Sequence, residues 1–434
     1  TDGDLQKRIN SVTPEDVATI VYTSGTTGVP KGAVITHDNV TFTAQSVEGC
    51  ADVRNADESF LFLPLAHIFA RTLVYATLLI GATVNFARSM DTIVDDLKIA
   101  KPHWFPSVPR IYEKVYSKVV SGAEAKGGAA LKIFNWAIGV GDRVADCRLN
   151  KEPVPFGLGF KHKIASKLVF SKLHAALGGR LRFCISGAAP LDPSIGKFFI
   201  GADVIVLEGL GMTENTSFTN VNRPDNFRIG WVGPPGPGIE QRIADDGEIQ
   251  FKGRNVMREY YKMPDETADT FTEDGWLQTG DLGEIDSENF LRITGRKKDL
   301  IITAGGKNIA PSAIEGHVAT SKYINQVLVI GDRRKFLSAL VTLDEENVKA
   351  YAEEKGIGFN SLDDLMTNEE INKLIESEIA EKNKALPSFE TLKKFTIVPE
   401  FTIENKMLTP TLKVKKNVAI DNYQDKIESM YPKG

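Results

Sequence analysis

Residues 22–32, YTSGTTGVPKG, constrain the chain more than any other stretch. They follow ATIVYT, an apolar run ending at Thr23 that reads as a buried strand, so a loop of hydroxyls and glycines leaves a strand end. Strand ends of α/β sheets are where phosphates bind. Gly25 and Gly28 admit backbone angles that side-chained residues resist, and they let main-chain N–H groups approach an anion closely. Thr23, Ser24, Thr26 and Thr27 offer hydroxyls that can donate to phosphate oxygens or complete the shell of a bound metal, and Lys31 adds a positive charge. A P-loop ATPase is disfavoured, because that motif needs Gly, four residues, then Gly-Lys-Ser/Thr, whereas Lys31 follows Pro30 and precedes Gly32. A merely solvated turn leaves this concentration of hydroxyls and glycines unexplained.

Around the loop the chain reads as alternating short strands and helices. Asp4 to Ile9 is a polar opening, and Thr13-Pro14-Glu15-Asp16 resembles a helical turn with Pro at its first position. A helix is expected from about Thr36 to Cys50, capped by Asp38 or Asn39, which would hold the loop between a strand and a helix. Residues 60–71, FLFLPLAHIFAR, read as a buried strand broken at Pro64; His67 beyond it is either a satisfied core histidine or a pocket residue. Residues 73–86 read as a core helix followed by a strand, and residues 101–115 as strand, turn and helix. Residues 122–163 read as a helical insertion with a mobile loop on each side.

Two further strands carry chemistry. Residues 181–193 run into Gly187, Ala188 and Ala189, small residues on which a flat heterocycle can lie. Residues 204–214, VIVLEGLGMTE, bring Glu208, Gly209, Gly211, Thr213 and Glu214 to the same sheet edge. A carboxylate beside phosphates serves well as a Mg²⁺ ligand, since that ion takes one or two carboxylates together with phosphate oxygens and waters. Residues 241–253 form a hairpin around Asp-Asp-Gly, and Asp281, after Thr279-Gly280, is placed to accept ribose hydroxyls. Past Gly295 a smaller unit begins, with strands near 326–330 and 337–343 and a helix carrying Ile371, Leu374, Ile375 and Ile379 on one face. The terminal PTLKVKK alone reads as solvated surface.

Composition excludes several classes. With 42% hydrophobic and 25% charged residues over 434 positions the chain is an ordinary globular protein with room for more than one domain. A net charge of −5 with scattered Lys and Arg argues against nucleic acid. Three cysteines without CxxC spacing indicate neither a disulfide framework nor a zinc site. No apolar run is long enough to span a bilayer.

Taken together, the loop, residues 60–71, residues 204–214, Thr279-Gly280-Asp281, ITGRKKDLIITAGGKNIAP and LTPTLKVKK resemble the adenylate-forming superfamily, and in detail its bacterial long-chain fatty-acid CoA ligases. The resemblance implies an α/β fold. Its large domain, here 1–297 and N-terminally shortened, has twisted sheets flanked by helices and a small β-barrel-like part; a smaller mobile α+β domain, 298–434, follows. It implies ATP, Mg²⁺ and CoA as cofactor and co-substrates, a long-chain fatty acid as substrate, and a cytoplasmic protein with at most peripheral membrane contact. Nucleotide binding falls to Thr23, Ser24, Gly25, Thr26, Thr27, Gly28 and Lys31, to Gly187, Ala188 and Ala189, and to Glu208, Gly209, Leu210, Gly211, Met212, Thr213 and Glu214. Asp281, Ile293, Arg296 and Lys413 complete that set, with Leu210 standing where relatives carry an aromatic. Thr23 and Glu214 would hold the metal, His67 would line the carboxylate pocket, and Lys298 would be the hinge. Gly305 and Gly306 would line the CoA channel, and Lys413, ahead of Lys415 and Lys416, would be the catalytic lysine. Two alternatives share these features: an acyl-AMP ligase loading a carrier protein, and an inactive nucleotide- or acyl-binding module.

Overall fold

The computed structural model describes residues 2–23, 30–90, 92–409 and 413–431. Two compact units account for the chain: Thr1–Val108, Ala137–Ala189 and Gly196–Ile293 in one, and Pro109–Trp136, Pro190–Ile195 and Thr294–Gly434 in the other.

In the first unit the chain opens on a helix, Asp2–Ser11, where the sequence reads as a mere polar opening. Its only large apolar residues, Leu5 and Ile9, stay exposed, so it lacks the buried stripe by which amphipathic helices are recognised. The Thr13–Asp16 segment is a turn and not a helix: Asp16 N–H donates to the Thr13 carbonyl at 3.2 Å, and Thr13 N–H donates to the Asp16 carboxylate at 2.7 Å.

The strand Val17–Tyr22 pairs antiparallel with Gly32–Thr36, which on its other side takes Glu259–Tyr260. Residues 23–31 therefore bridge the two strands of a hairpin, which corrects the expectation of a loop between strand and helix. The five-residue GAVIT strand is buried at every position because it is the middle strand, whereas Val21 alone is fully buried in Val17–Tyr22. Helix His37–Glu48 begins only afterwards, and its cap is Thr36. Thr36 Oγ1 accepts from Asn39 N–H at 3.2 Å while Asn39 Oδ1 accepts from Thr36 N–H at 2.8 Å, a reciprocal box in which Asn takes the place of Glu.

The sheet that positions the site has six strands in the order Thr83–Phe86, Glu58–Leu61, Trp104–Ser107, Phe183–Ser186, Ile205–Leu210 and Asn220–Val221. All pair in parallel except the last, which is antiparallel. Short apolar strands covered by helices give this pattern. Trp104, Phe183 and Leu207 of the strands pack with Leu73 and Ala76 of helix Ile68–Ile80 and with Ala44 and Val47 of helix His37–Glu48 in one core cluster. A four-stranded antiparallel sheet, Leu291–Arg296, Leu277–Ile285, Glu248–Gly253 and Ile239–Ile243, makes the second β part. Helices Gly128–Leu149 and Phe156–Ala165 occupy the expected helical insertion, and the helical run continues past its expected end at 163 through a π turn, Ser166–Phe170, into helix Ser171–Ala176.

The second unit is built on a three-stranded sheet in which Leu337–Leu343 lies between Ile324–Ile330, antiparallel, and Leu392–Ile397, parallel. Helix Glu369–Asn383 buries Ile371, Ile375 and Ile379 against it. Among the described residues no helix is long and apolar enough to cross a membrane.

Candidate active site

The C-terminal ends of the parallel strands lie side by side. Ser107 is in register with Ser186, and Ser186 with Glu208, so three polar residues line one edge of an otherwise apolar sheet. This is where open α/β sheets take ligands. Ser186 Oγ is buried without a hydrogen-bond partner, an orphan polar atom at the last residue of its strand. Gly187 follows, its N–H donating to the Ser107 carbonyl at 3.2 Å, and Ala188 is held at φ +73°, a left-handed conformation that costs a side-chained residue energy. The helix start carrying His67 lies beside it: a Cβ on Gly187 would meet the Phe69 ring at 3.4 Å. His67 caps that helix, its Nδ1 accepting from Phe69 N–H at 3.2 Å.

Glu208 is 7% exposed and accepts from Gly230 N–H at 2.8 Å, which ties the strand end to the 228–231 turn. Leu210 is half-buried, and its carbonyl accepts from Thr219 N–H at 2.9 Å. Beyond it the chain doubles back tightly. Thr216 and Ser217 both have positive φ, Ser217 N–H donates to the Met212 carbonyl at 2.8 Å, and Asn215 Oδ1 accepts from Met212 N–H at 2.8 Å. Gly211 sits against this return so closely that a Cβ would lie 2.1 Å from Ser217 backbone atoms. The single turn of 3₁₀ helix, Thr213–Asn215, thereby presents Glu214 at a fixed angle.

Tyr260, which sequence reasoning did not single out, organises the next part. Its hydroxyl donates to Glu214 Oε1 at 2.6 Å, and Lys31 Nζ stands 5.0 Å from its ring centroid. Burial first, and then the Glu214 charge, push the Tyr260 phenol up, so it keeps its proton and remains a donor. The hairpin mouth is closed by Thr23 N–H donating to the Lys31 carbonyl at 2.8 Å. A lysine, a buried tyrosine and a fixed carboxylate thus meet at the loop. Ser24, Gly25, Thr26, Thr27 and Gly28 lie outside the described residues.

Asp281 is 6% exposed and follows a kink in Leu277–Ile285 where Gly280 takes φ +71°. Gly280 N–H donates to Glu248 Oε1 at 2.6 Å and Asp281 N–H to Thr279 Oγ1 at 3.0 Å, so Glu248, also overlooked in the sequence, fixes the aspartate's backbone. Ile293, 38% exposed, sits on the neighbouring strand.

In the second unit, Arg296 and Lys298 are exposed at a turn where Asp299 and Leu300 N–H groups donate to the Arg296 carbonyl. Gly305 and Gly306 form the tip between Ile301–Ile302 and Asn308–Ile309, with Gly306 at φ +74°. Exposed Lys413 closes a loop through its N–H on Thr409 Oγ1 at 3.1 Å and its carbonyl from Thr409 N–H at 2.8 Å. Of the alternatives, Lys416 Nζ lies 3.7 Å from Glu315, whose carboxyl burial raises despite that ammonium, whereas Lys415 N–H donates to the Met407 carbonyl at 2.8 Å.

The arrangement in the first unit suits an anionic, planar ligand: backbone and hydroxyls at a sheet edge, one ammonium, and a hard carboxylate oxygen. Among the described residues no group of three or more His, Cys, Asp or Glu could hold a metal ion. Glu214 fits a Mg²⁺ that brings most of its ligands as phosphate oxygens and water.

Residues 2–261 match the family described as AMP-binding enzyme, and residues 298–434 its C-terminal domain. The chain is 36% identical over 441 residues to a long-chain-fatty-acid–CoA ligase of Mycobacterium bovis, covering 99% of this chain and 72% of the relative. It is 35% identical to long-chain-fatty-acid–CoA ligase 5 of Rattus norvegicus, over 96% of this chain and 62% of that one. In fold it resembles the adenylation domain of a carboxylate reductase from Mycobacterium chelonae, with TM-score 0.74, 23% identity, and coverage of 99% of this chain and 63% of that one. ATP-bound MatB from Rhodopseudomonas palustris aligns with TM-score 0.64 and 25% identity over 95% of this chain and 69% of that one.

Proposed function

Because the chain belongs to the AMP-binding enzyme family, we propose that it is an AMP-forming long-chain fatty-acid CoA ligase, as its sequence relatives are named. The observation that carries the reading is the Glu214 carboxylate, fixed by Tyr260 with Lys31 over the same ring. Such a group has a clear use beside a polyphosphate.

The chemistry is two displacements. A carboxylate oxygen of the acid attacks the α-phosphorus of ATP, the bond to the bridging oxygen breaks, and pyrophosphate leaves. The CoA sulfur then attacks the acyl carbon of the adenylate, giving up its proton, and AMP leaves. Lys31 and the loop hydroxyls of Thr23, Ser24, Thr26 and Thr27, with Gly25 and Gly28 for close approach, hold the phosphates. Gly187–Ala189 and residues 208–213 take the adenine, and Asp281, Ile293 and Arg296 the ribose. Glu214 and Thr23 would hold Mg²⁺, which supplies charge neutralisation of the pyrophosphate. His67 lines the carboxylate pocket, where its helix start adjoins Gly187. Lys413 neutralises charge developing on the α-phosphate and carboxylate oxygens, a demand of the first displacement only.

In this reading 1–297 is the large domain and 298–434 the small one. Lys298 is the hinge, and Gly305 and Gly306 face the CoA arm in the second step. The protein acts in the cytoplasm, with peripheral contact to membrane. The test is ATP–pyrophosphate exchange driven by acids of increasing chain length. Exchange that rises towards long chains supports the reading, and exchange with no acid refutes it.

A further inference from the structure

The helical run from Phe156 to Ala176 turns its two sides to different purposes. Its inner side is anchored: Leu158, Phe170 and Leu173 are buried, His162 Nε2 is 2.8 Å from the Gly201 carbonyl, and His174 Nε2 is 2.6 Å from that of Ala202. Its outer side carries Phe156, Phe160, Ile164 and Leu168, spaced four apart, at 93%, 61%, 38% and 49% exposure. The wider winding of the π turn slows the angular advance, so Leu168 stays in line with Ile164.

Lysines flank the stripe. Lys161, Lys163 and Lys167 are exposed on the same run, and Lys172 follows. Between Glu152 and Asp192 the sequence contains no acid at all, although the whole chain carries a net charge of −5. Asp203, which touches the inner side of the run, is held by Arg148 at 2.5 Å and by Ser166 Oγ at 3.2 Å. The outward side of the run is therefore apolar and carries basic but no acidic side chains of its own, while Asp95 and Asp96 lie on the helix packed against its Ser171–Ala176 end. A second copy of the same basic face would repel it, whereas a headgroup layer of phosphates above acyl chains complements both of its properties.

We propose that this face docks the protein on a bilayer carrying anionic phospholipid. The inference deepens the peripheral contact of the reading above but requires no turnover, so it is tested without the reaction. Flotation of the full chain with phosphatidylcholine vesicles, with and without phosphatidylglycerol, reads it directly. The anionic vesicles are expected to bind roughly tenfold tighter, and added salt weakens that binding. Phe156→Ser with Phe160→Ser reduces binding to both vesicle types by about tenfold or more. Lys161→Gln, Lys163→Gln and Lys167→Gln together abolish the preference for anionic lipid. Phe160→Trp provides a second readout, a blue shift of emission on anionic vesicles. AMP release from a short water-soluble acid stays unchanged in all these variants, which separates lipid docking from the catalytic reading. Vesicle binding that is absent, or that the variants leave unaltered, overturns the proposal. So does a chain that self-associates in sedimentation and loses that association, with no vesicle binding, in the Phe156→Ser variant.

Discussion

Tyr260 and Glu214 share one hydrogen bond of 2.6 Å across 46 residues of sequence, and that bond ties a carboxylate to the ring over which Lys31 stands. Tyr260→Phe takes a donor from a buried, charged acceptor. The expected cost is about 1–3 kcal/mol of stability, read as a lower Tm. The same variant should need more Mg²⁺ for half-maximal AMP release, because Glu214 is no longer held in one position. A lower Tm with an unchanged Mg²⁺ requirement would leave Glu214 a structural residue.

Gly211→Ala forces a methyl to within 2.1 Å of the Ser217 backbone, so the return of residues 211–217 must open. Nucleotide affinity is expected to fall with stability, measured by nucleotide titration and thermal melting of the same sample. An alanine variant that melts and binds as the parent does would remove this turn from the site.

Asp192 predicts an acid limb in the stability of the second unit. Burial, which alone would raise its carboxyl, is outweighed by hydrogen bonds from His317 and Ser194, so it lies below the ordinary range. A carboxyl depressed on folding contributes stability that is fully present above its unfolded value and is lost as pH falls through the folded one. Melting followed from roughly pH 5 down to pH 3 should therefore show a decline that Asp192→Asn flattens.

The thiols differ in reactivity. Burial pushes Cys50 up to about 11, with Arg223 opposing only in part, whereas Cys147 is half-buried. Alkylation near pH 8 followed by peptide mapping should label Cys147 well before Cys50. Equal labelling would mean that the core around Cys50 opens readily.

Much of the sheet is readable in the sequence because strands such as Phe183–Ser186 and Ile205–Leu210 begin as apolar runs and carry polar residues, Ser186 and Glu208, towards their ends. The hairpin is not. GAVIT is too short to show a period, and its partners, Val17–Tyr22 and Glu259–Tyr260, are separated from it by nine residues and by more than two hundred residues of chain. The same distance concealed Tyr260, since REYYK carries no local sign that one ring will face a glutamate 46 residues earlier. Glu248 was hidden differently: it acts on the Gly280 backbone, and side chain to main chain ties leave no motif. Helix Asp2–Ser11 was missed because its two apolar residues remain on the surface.

The central claim is tested most directly by AMP formation from ATP, Mg²⁺ and palmitate, with and without CoA, comparing the chain with Lys413→Ala. The ligase reading predicts CoA-dependent AMP release that the substitution slows by about a hundredfold or more, with nucleotide still bound. Acyl adenylate that CoA does not discharge, or no AMP under any condition despite nucleotide binding, would contradict it.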